Sequence, residues 1–163
     1  MSEQDDDARA TLAATLGRVP SGLFILTARQ GQCETGMLTS WVQQCSFNPP
    51  RLSIAVRRDR TVAGWLVPES LFALNLIGEG QSTLVSHFAK GFDEGQPAFT
   101  NLNVVREPDA PPVLADALGY LLCRVAGRCD AGDHDLFIAT VVAGRILGEG
   151  KPWIHVRKNG MRY

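Results

Sequence analysis

The stretch 120-YLLCRVAGRCDAGDHDLFIATVVAGRIL-147 decides the fold class. It holds two long apolar-rich runs, Tyr120–Cys129 and Leu136–Leu147, joined by the turn-rich Asp130–Asp133. Working outward, shorter strands precede it. Leu23–Ala28 reads as a strand, Gln30-Gly31-Gln32 as a turn and Glu34–Val42 as the return strand. Asn48-Pro49-Pro50 breaks the chain, and Arg51–Val56 alternates polar and apolar residues as a half-buried strand does. Leu71–Ile77 is a further strand. Ser82–Phe88 reads as a short helix with Ser82 at its N-cap. Gly91–Pro112, rich in Gly, Pro and Asn, reads as a long surface connection of the kind that often carries function. Trp153–Arg157, Asn159-Gly160 and Met161–Tyr163 read as a small terminal hairpin.

At the other end, Ala8, Leu12, Ala13 and Leu16 recur at helical spacing and Gly17 stops the run. Many short strands, few helices and no βαβ rhythm argue for a mainly β protein, an antiparallel sheet closed into a barrel. Residues 1–16 form an acidic tail and short helix, and residues 17–163 form one domain. A chain of 163 residues is long enough to bury its own core without a metal or disulfide.

Composition removes several function classes. The net charge of −1 leaves no electrostatic footprint for nucleic acid or an anionic membrane, so any bound anion must meet a local cluster. The start, Ser2 to Asp7, is acidic where a secretory signal would be basic and then apolar. The longest apolar stretches fall far short of the roughly 20 residues that span a bilayer. Cys33, Cys45, Cys123 and Cys129 fit neither a zinc site nor a redox dithiol, and are expected as buried or half-buried thiols in a reducing cytoplasm. The histidines, His87, His134 and His155, lack the spacing of metal ligands, so no metal is expected.

Phosphate loops, metalloprotease helices and nucleophile elbows are missing from the sequence. In Asp133-His134-Asp135, neighbouring strand residues face opposite ways, so at most one aspartate orients the imidazole. Three segments are denser in chemistry. Residues 36–50, GMLTSWVQQCSFNPP, mix hydroxyls and amides with large apolar groups, as a ligand with a flat ring and a polar tail requires. The Thr39 and Ser40 hydroxyls suit a phosphate or ribityl chain; an ordinary strand edge is the alternative. Arg57-Arg58-Asp59-Arg60-Thr61 offers bidentate forks for a phosphate, or else is a solvated loop. Ser86-His87-Phe88-Ala89-Lys90-Gly91-Phe92 alternates cations and aromatics, and a cation there would stabilise an anionic reduced ring; a helix with His and Lys outward and Phe inward is the simpler reading.

Together these segments resemble the flavin reductase-like family of FMN-binding split barrels, from about Gly17 to the C-terminus. Within it the sequence looks most like the flavin reductase module that ends the cyanobacterial flavodiiron proteins. The resemblance rests on residues 36–42, Ser46-Phe47-Asn48-Pro49-Pro50, Ile54-Ala55-Val56, Asp59-Arg60 and His87-Phe88 with Lys90 and Phe92. Gly132-Asp133-His134 and the tail Arg157-Lys158 with Gly160 and Tyr163 complete it. It implies a Greek-key split barrel, a homodimer with FMN near the subunit interface, and FMN (or FAD) held by Leu38, Thr39, Ser40, Trp41, Cys45, Ser46, Arg57 and Arg60. Cys45 would touch the ring through its backbone. His87, Phe88 and Lys90 would flank the flavin, His134 would orient the hydride donor, and His155 would be structural. The metal-binding and flavodoxin-like domains of the flavodiiron proteins have no counterpart in these 163 residues.

The expected activity is therefore an NAD(P)H-dependent flavin reductase, passing hydride from NADH or NADPH to flavin and on to an acceptor. The alternative is an FMN-binding electron-transfer protein serving a redox protein partner. A third class, a split barrel that binds haem through one of the three histidines or only pairs with itself, is the least supported.

Overall fold

A computed structural model describes residues 3–161. The last two residues of the expected terminal hairpin, and Tyr163 of the tail motif, lie outside the described residues. Helix α1 spans Glu3–Gly17, so the acidic run is helical and not a tail. Its Asp5, Asp6 and Asp7 sit in the first turns, where carboxylates complement the helix dipole. Strands β1 (Ser21–Gly22), β2 (Phe24–Gln30) and β3 (Cys33–Thr39) follow, then β4 (Val42–Phe47) and β5 (Pro50–Arg57). Next come α2 (Thr61–Trp65), β6 (Leu71–Leu76) and α3 (Ser82–Ala89), then β7 (Val104–Val105) and β8 (Val113–Leu114). The long pair β9 (Gly119–Asp130) and β10 (His134–Ile146) precede a short β11 (Ile154–His155).

Seven strands form one antiparallel sheet in the order β3-β2-β6-β9-β10-β5-β4. Its edge strands β3 and β4 are joined by Ser40 and Trp41 alone, so the sheet must curl until its edges meet. That is the expected split barrel. The alternation in β5 buries Leu52, Ile54 and Val56, which meet Phe72, Leu74, Val125 and Phe137 in the barrel interior beneath α2. Burial of such side chains stabilises by about 1.5–3 kcal/mol each. Asn75 and Thr27, both fully buried, are paired inside the barrel. Asn75 donates to the Ile25 carbonyl at 2.9 Å and accepts from the Leu114 amide at 2.9 Å, tying β2, β6 and β8 together.

Four expectations are corrected. The run Glu34–Val42 is not one strand: at Ser40-Trp41 the chain turns, and the Trp41 carbonyl accepts from the Ala55 amide as Val42 joins β5. The N-cap of α3 is Gln81 and not Ser82. Gly91–Pro112 is not wholly superficial, because Ala98 and Phe99 pack into a second core with Leu23, Ile77, Leu84 and Phe88. The terminal hairpin does not form among the described residues. Instead β11 pairs with β1, and the strap beyond it folds onto α1.

Two glycines permit close approaches that position the site. A Cβ at Gly36 would lie 2.6 Å from the Phe88 ring, so α3 sits directly on β3. At Gly17 a Cβ would lie 2.4 Å from the Arg157 carbonyl oxygen, a backbone atom that cannot move aside alone. Through that contact the end of α1 holds the segment around Arg157 in place.

Candidate functional site

Where β3 turns into β4, the chain opens a cleft of about 600 Å³. One wall comes from the sheet: Met37 to Trp41, Ala55 and Arg57, continued by Arg60 at the start of α2. The other wall is the strap His155–Asn159. Apolar groups (Leu23, Met37, Leu38, Ala55, Val156) lie beside hydroxyls and cations, and no carboxylate lines the cleft among the described residues. This volume and mixture match a site for a ring carrying a phosphorylated chain.

The structure thus gathers Leu38, Thr39, Ser40, Trp41, Arg57 and Arg60 in one place. Thr39 is buried at the end of β3 and Ser40 is half-buried at the corner. The three arginines of the basic cluster have separate fates. Arg57 closes its fork on Asp59 with two hydrogen bonds of 2.7 Å, which hold the Asp59 carboxyl below its usual range. Arg60 donates to the Lys90 carbonyl at 3.0 Å, lying between the cleft and a second pocket of about 240 Å³ that Lys90 also lines. Arg58 leaves the cleft entirely: it bridges Asp130 at 2.7 Å and Asp135 at 3.1 Å across the β9–β10 turn.

His134 opens β10 opposite Arg57 and is buried. Its Nδ1 lies 2.7 Å from Asp133 Oδ1, and that hydrogen bond lowers the Asp133 pKa. Asp135 takes no part in orienting the imidazole, as the strand geometry requires. It is buried between Arg128 and Arg58. The hydrogen bond from Arg128 is the main cause that lowers its pKa, against a desolvation that raises it. The His134 ring contacts Trp41 at 4.8 Å between centroids, while the Arg157 guanidinium lies 5.0 Å over the same indole. Trp41 is thereby held between a histidine and an arginine.

Other expected residues are placed elsewhere. Cys45 is exposed and Ser46 half-exposed on β4, outside the cleft walls. Phe88 is fully buried in the second core, and His87 Nε2 lies 2.8 Å from the Ala98 carbonyl, clamping the long connection to α3. Phe88 meets the simpler reading of that helix, with Phe inward, whereas half-buried His87 does not point outward as that reading had it. Lys90 lies 5.1 Å over the Phe92 ring. His155, expected to be structural, lines the cleft. Of the cysteines, Cys33 is half-buried and Cys123 is buried, its thiol pushed up to about 12 by desolvation, whereas Cys45 and Cys129 are exposed.

The strap is what the residue-level reading missed. Its one signal was Arg157-Lys158 in the tail motif, to which no role was attached. Among the described residues no group of three His, Cys, Asp or Glu side chains is placed to hold a metal. No described helix is long and apolar enough to cross a membrane.

Comparison with known proteins supplies the remaining observations. The family profile described as flavin reductase like domain matches residues 16–161. Diflavin flavoprotein A 1 of Synechocystis sp. is 38% identical over 154 residues, which are 93% of this chain and 27% of that protein. The chain therefore spans about a quarter of the length of the curated relatives it matches. Among solved structures, the NADH:FAD oxidoreductase SgcE6 of Streptomyces globisporus gives a TM-score of 0.81 at 23% identity, covering 96% of this chain and 92% of that one. Flavin reductase PheA2 gives 0.75 at 22% identity, covering 96% and 94%. At these identities the two structures speak for the fold.

Proposed function

The chain belongs to the flavin reductase like domain family, and from that premise we propose that it is an FMN-binding, NAD(P)H-dependent flavin reductase. The observation that carries the proposal is the cleft itself, where Leu38–Trp41, Arg60 and the C-terminal strap converge with no carboxylate among them. A flavin, once bound there, supplies the hydride acceptor at N5, and the chain has only to bind and orient. The Thr39 and Ser40 hydroxyls and the Arg60 guanidinium hold the phosphate and ribityl end. Met37, Leu38 and Ala55 give the ring an apolar bed that excludes water. Arg57 acts through its pair with Asp59 to shape this end.

Trp41 and His134 position the donor. With Nδ1 engaged by Asp133, the imidazole keeps one tautomer and orientation, and Trp41 packs against it. Proximity then provides most of the catalysis, which is why no acid–base dyad is needed. A structural neighbour supports the same chemistry: SgcE6 is an NADH:FAD oxidoreductase whose structure is also known in complex with NAD and FAD fragments. FAD in place of FMN is compatible with the cleft. We take residues 17–163 as the functional domain, with α1 as the anchor of its strap, working in a reducing cytoplasm.

A specific observation favours a second reading, an electron carrier docking a protein partner. Phe47 is 90% and Ile146 85% exposed, and both lie past the rung Ser46–Arg51–Thr140 at one end of the sheet. The same surface would serve a homodimer, the assembly that the family resemblance implies and that we propose here. Anaerobic reduction of the FMN-loaded protein separates the readings. Rapid bleaching of the flavin band by NADH or NADPH is the expected result. A flavin that only dithionite bleaches would overturn the reductase and leave the carrier.

A further inference from the structure

Strand β10 is paired over different lengths on its two sides. Against β9 it is paired as far as Ile146, but against β5 only from His134 to Thr140, where β5 begins. Val141–Ile146 therefore present a row of backbone N–H and C=O groups that no strand meets among the described residues. Every residue from Val142 to Glu149 is exposed. A strand edge left open in this way is a template for pairing with another chain.

Unmet chemistry stands at the same place. Arg51, opposite Thr140, has its Nε buried without a hydrogen-bond acceptor among the described residues. An unmet buried donor is costly, and a carboxylate is the acceptor that best suits a guanidinium. Glu149, three residues past the end of β10, is exposed and has no ion-pair partner among the described residues. Phe47, 90% exposed, occupies the next rung of the β4–β5 hairpin, opposite Pro50.

The sequence of the edge restricts how it can pair. A bulge between Val141 and Ala143 shifts the register with β9, so the regular part is Ala143–Ile146. Arg145 lies within it, and two arginines set directly opposite each other would repel. Antiparallel pairing with a second copy, about a two-fold axis between Gly144 and Arg145, removes that clash. Each arginine then lies across from the partner's Gly144, which has no side chain, and the two arginines fall on opposite faces. Ile146 meets the partner's Ala143, an apolar pair. Beyond the strand the chain keeps its direction, because the Leu147 amide still donates to the Leu118 carbonyl at 2.8 Å. The partner's Glu149 is thereby carried opposite Thr140, the position that Arg51 holds. The two-fold consumes both edges at once and closes the assembly at two chains.

We propose that the open edge of β10 pairs with the same edge of a second copy about this axis, with Arg51 bound to the partner's Glu149. Two barrels then share one continuous sheet. This rests on the homodimer proposed above and gives it a surface, a register and an ion pair.

The test uses the full chain loaded with FMN. Sedimentation velocity across a concentration series gives the dimer Kd, and hydrogen exchange read by mass spectrometry follows residues 141–146 above and below it. The wild type should be a dimer in which the outward amides of this segment exchange at least about tenfold more slowly than in the monomer. Ile146→Glu should raise the Kd roughly a hundredfold, since both copies lose the contact. It should still fold, because Ile146 is 85% exposed in the single chain. Glu149→Arg should raise the Kd roughly tenfold by setting like charges together twice. A dimer whose residues 141–146 exchange equally at both concentrations overturns the pairing and leaves a homodimer built elsewhere. Protected amides in a dimer that Glu149→Arg leaves equally tight overturn the axis and its ion pair. A wild type that stays monomeric overturns the pairing and the homodimer together, while anaerobic bleaching of the same sample decides the reductase reading on its own.

Discussion

The two walls of the cleft are built in opposite ways. The sheet wall, from Met37 to Trp41 with Ala55 and Arg57, belongs to strands bonded into the seven-stranded barrel, and the hydrophobic core lies directly behind it. The strap wall, His155–Asn159, has a two-residue strand on β1 and backbone hydrogen bonds to the end of α1. One wall can fail only if the barrel fails. The other can be displaced while the barrel stands, so the binding of ligands should be separable from global stability on one side of the cleft only.

The largest effect should come from behind the sheet wall. Phe137 is fully buried among Ile54, Val56 and Phe72, and Phe137→Ala should destabilise by about 3–5 kcal/mol through lost burial and an unfilled cavity. Urea denaturation would show it, and flavin affinity should fall only as the protein unfolds. A stable variant that loses flavin would break the comparison. Gly17→Ala attacks the strap instead. Its Cβ meets the Arg157 carbonyl oxygen at 2.4 Å, so the strap must shift. Nucleotide and flavin affinity should drop roughly tenfold, while overpacking costs at most about 1–3 kcal/mol. Fluorescence titration beside a thermal melt checks both numbers.

The walls should also differ in acid. Asp135 joins β10 to Arg128 on β9 and to Arg58 at the end of β5, and its carboxyl pKa is held below the ordinary carboxylate value. A depressed folded-state pKa contributes stability that is present above the unfolded value and lost as pH falls through the folded one. Wild type should therefore exceed Asp135→Asn in urea midpoint near neutrality, and the gap should close below the carboxylate range. The backbone bonds of the strap carry no such dependence. A gap that persists undiminished in acid would show that Asp135 acts by shape rather than charge.

The contrast explains what the sequence made legible. Strands betray themselves through local alternation, as in Arg51–Val56, and the cleft face of the sheet was readable because Leu38 to Trp41 carry their chemistry in one short run. The strap takes its place from Gly17 and Ser21, more than a hundred residues earlier in the chain, and no local pattern reports such a contact. Phe88 shows a related failure. Its neighbours His87 and Lys90 look like ligand-binding groups, yet the missing side chain of Gly36 lets the ring sink against β3.

The smallest effect tests where the sheet wall ends. Read as one motif, residues 36–50 extend the flavin contact to Cys45 and Ser46, but the turn at Ser40-Trp41 carries β4 away to become an edge strand. There Cys45 is exposed and lies outside the walls of the cleft. A contact through its backbone survives exchange of sulfur for oxygen, since Cβ and the amide are untouched. Cys45→Ser should then alter flavin affinity by less than about twofold, the usual range for an exposed position. Ultrafiltration of the flavin-loaded variant measures this directly. A tenfold loss would mean that the thiol meets the flavin after all, and β4 would have to be redrawn as part of the wall, through closure of the cleft or a second subunit.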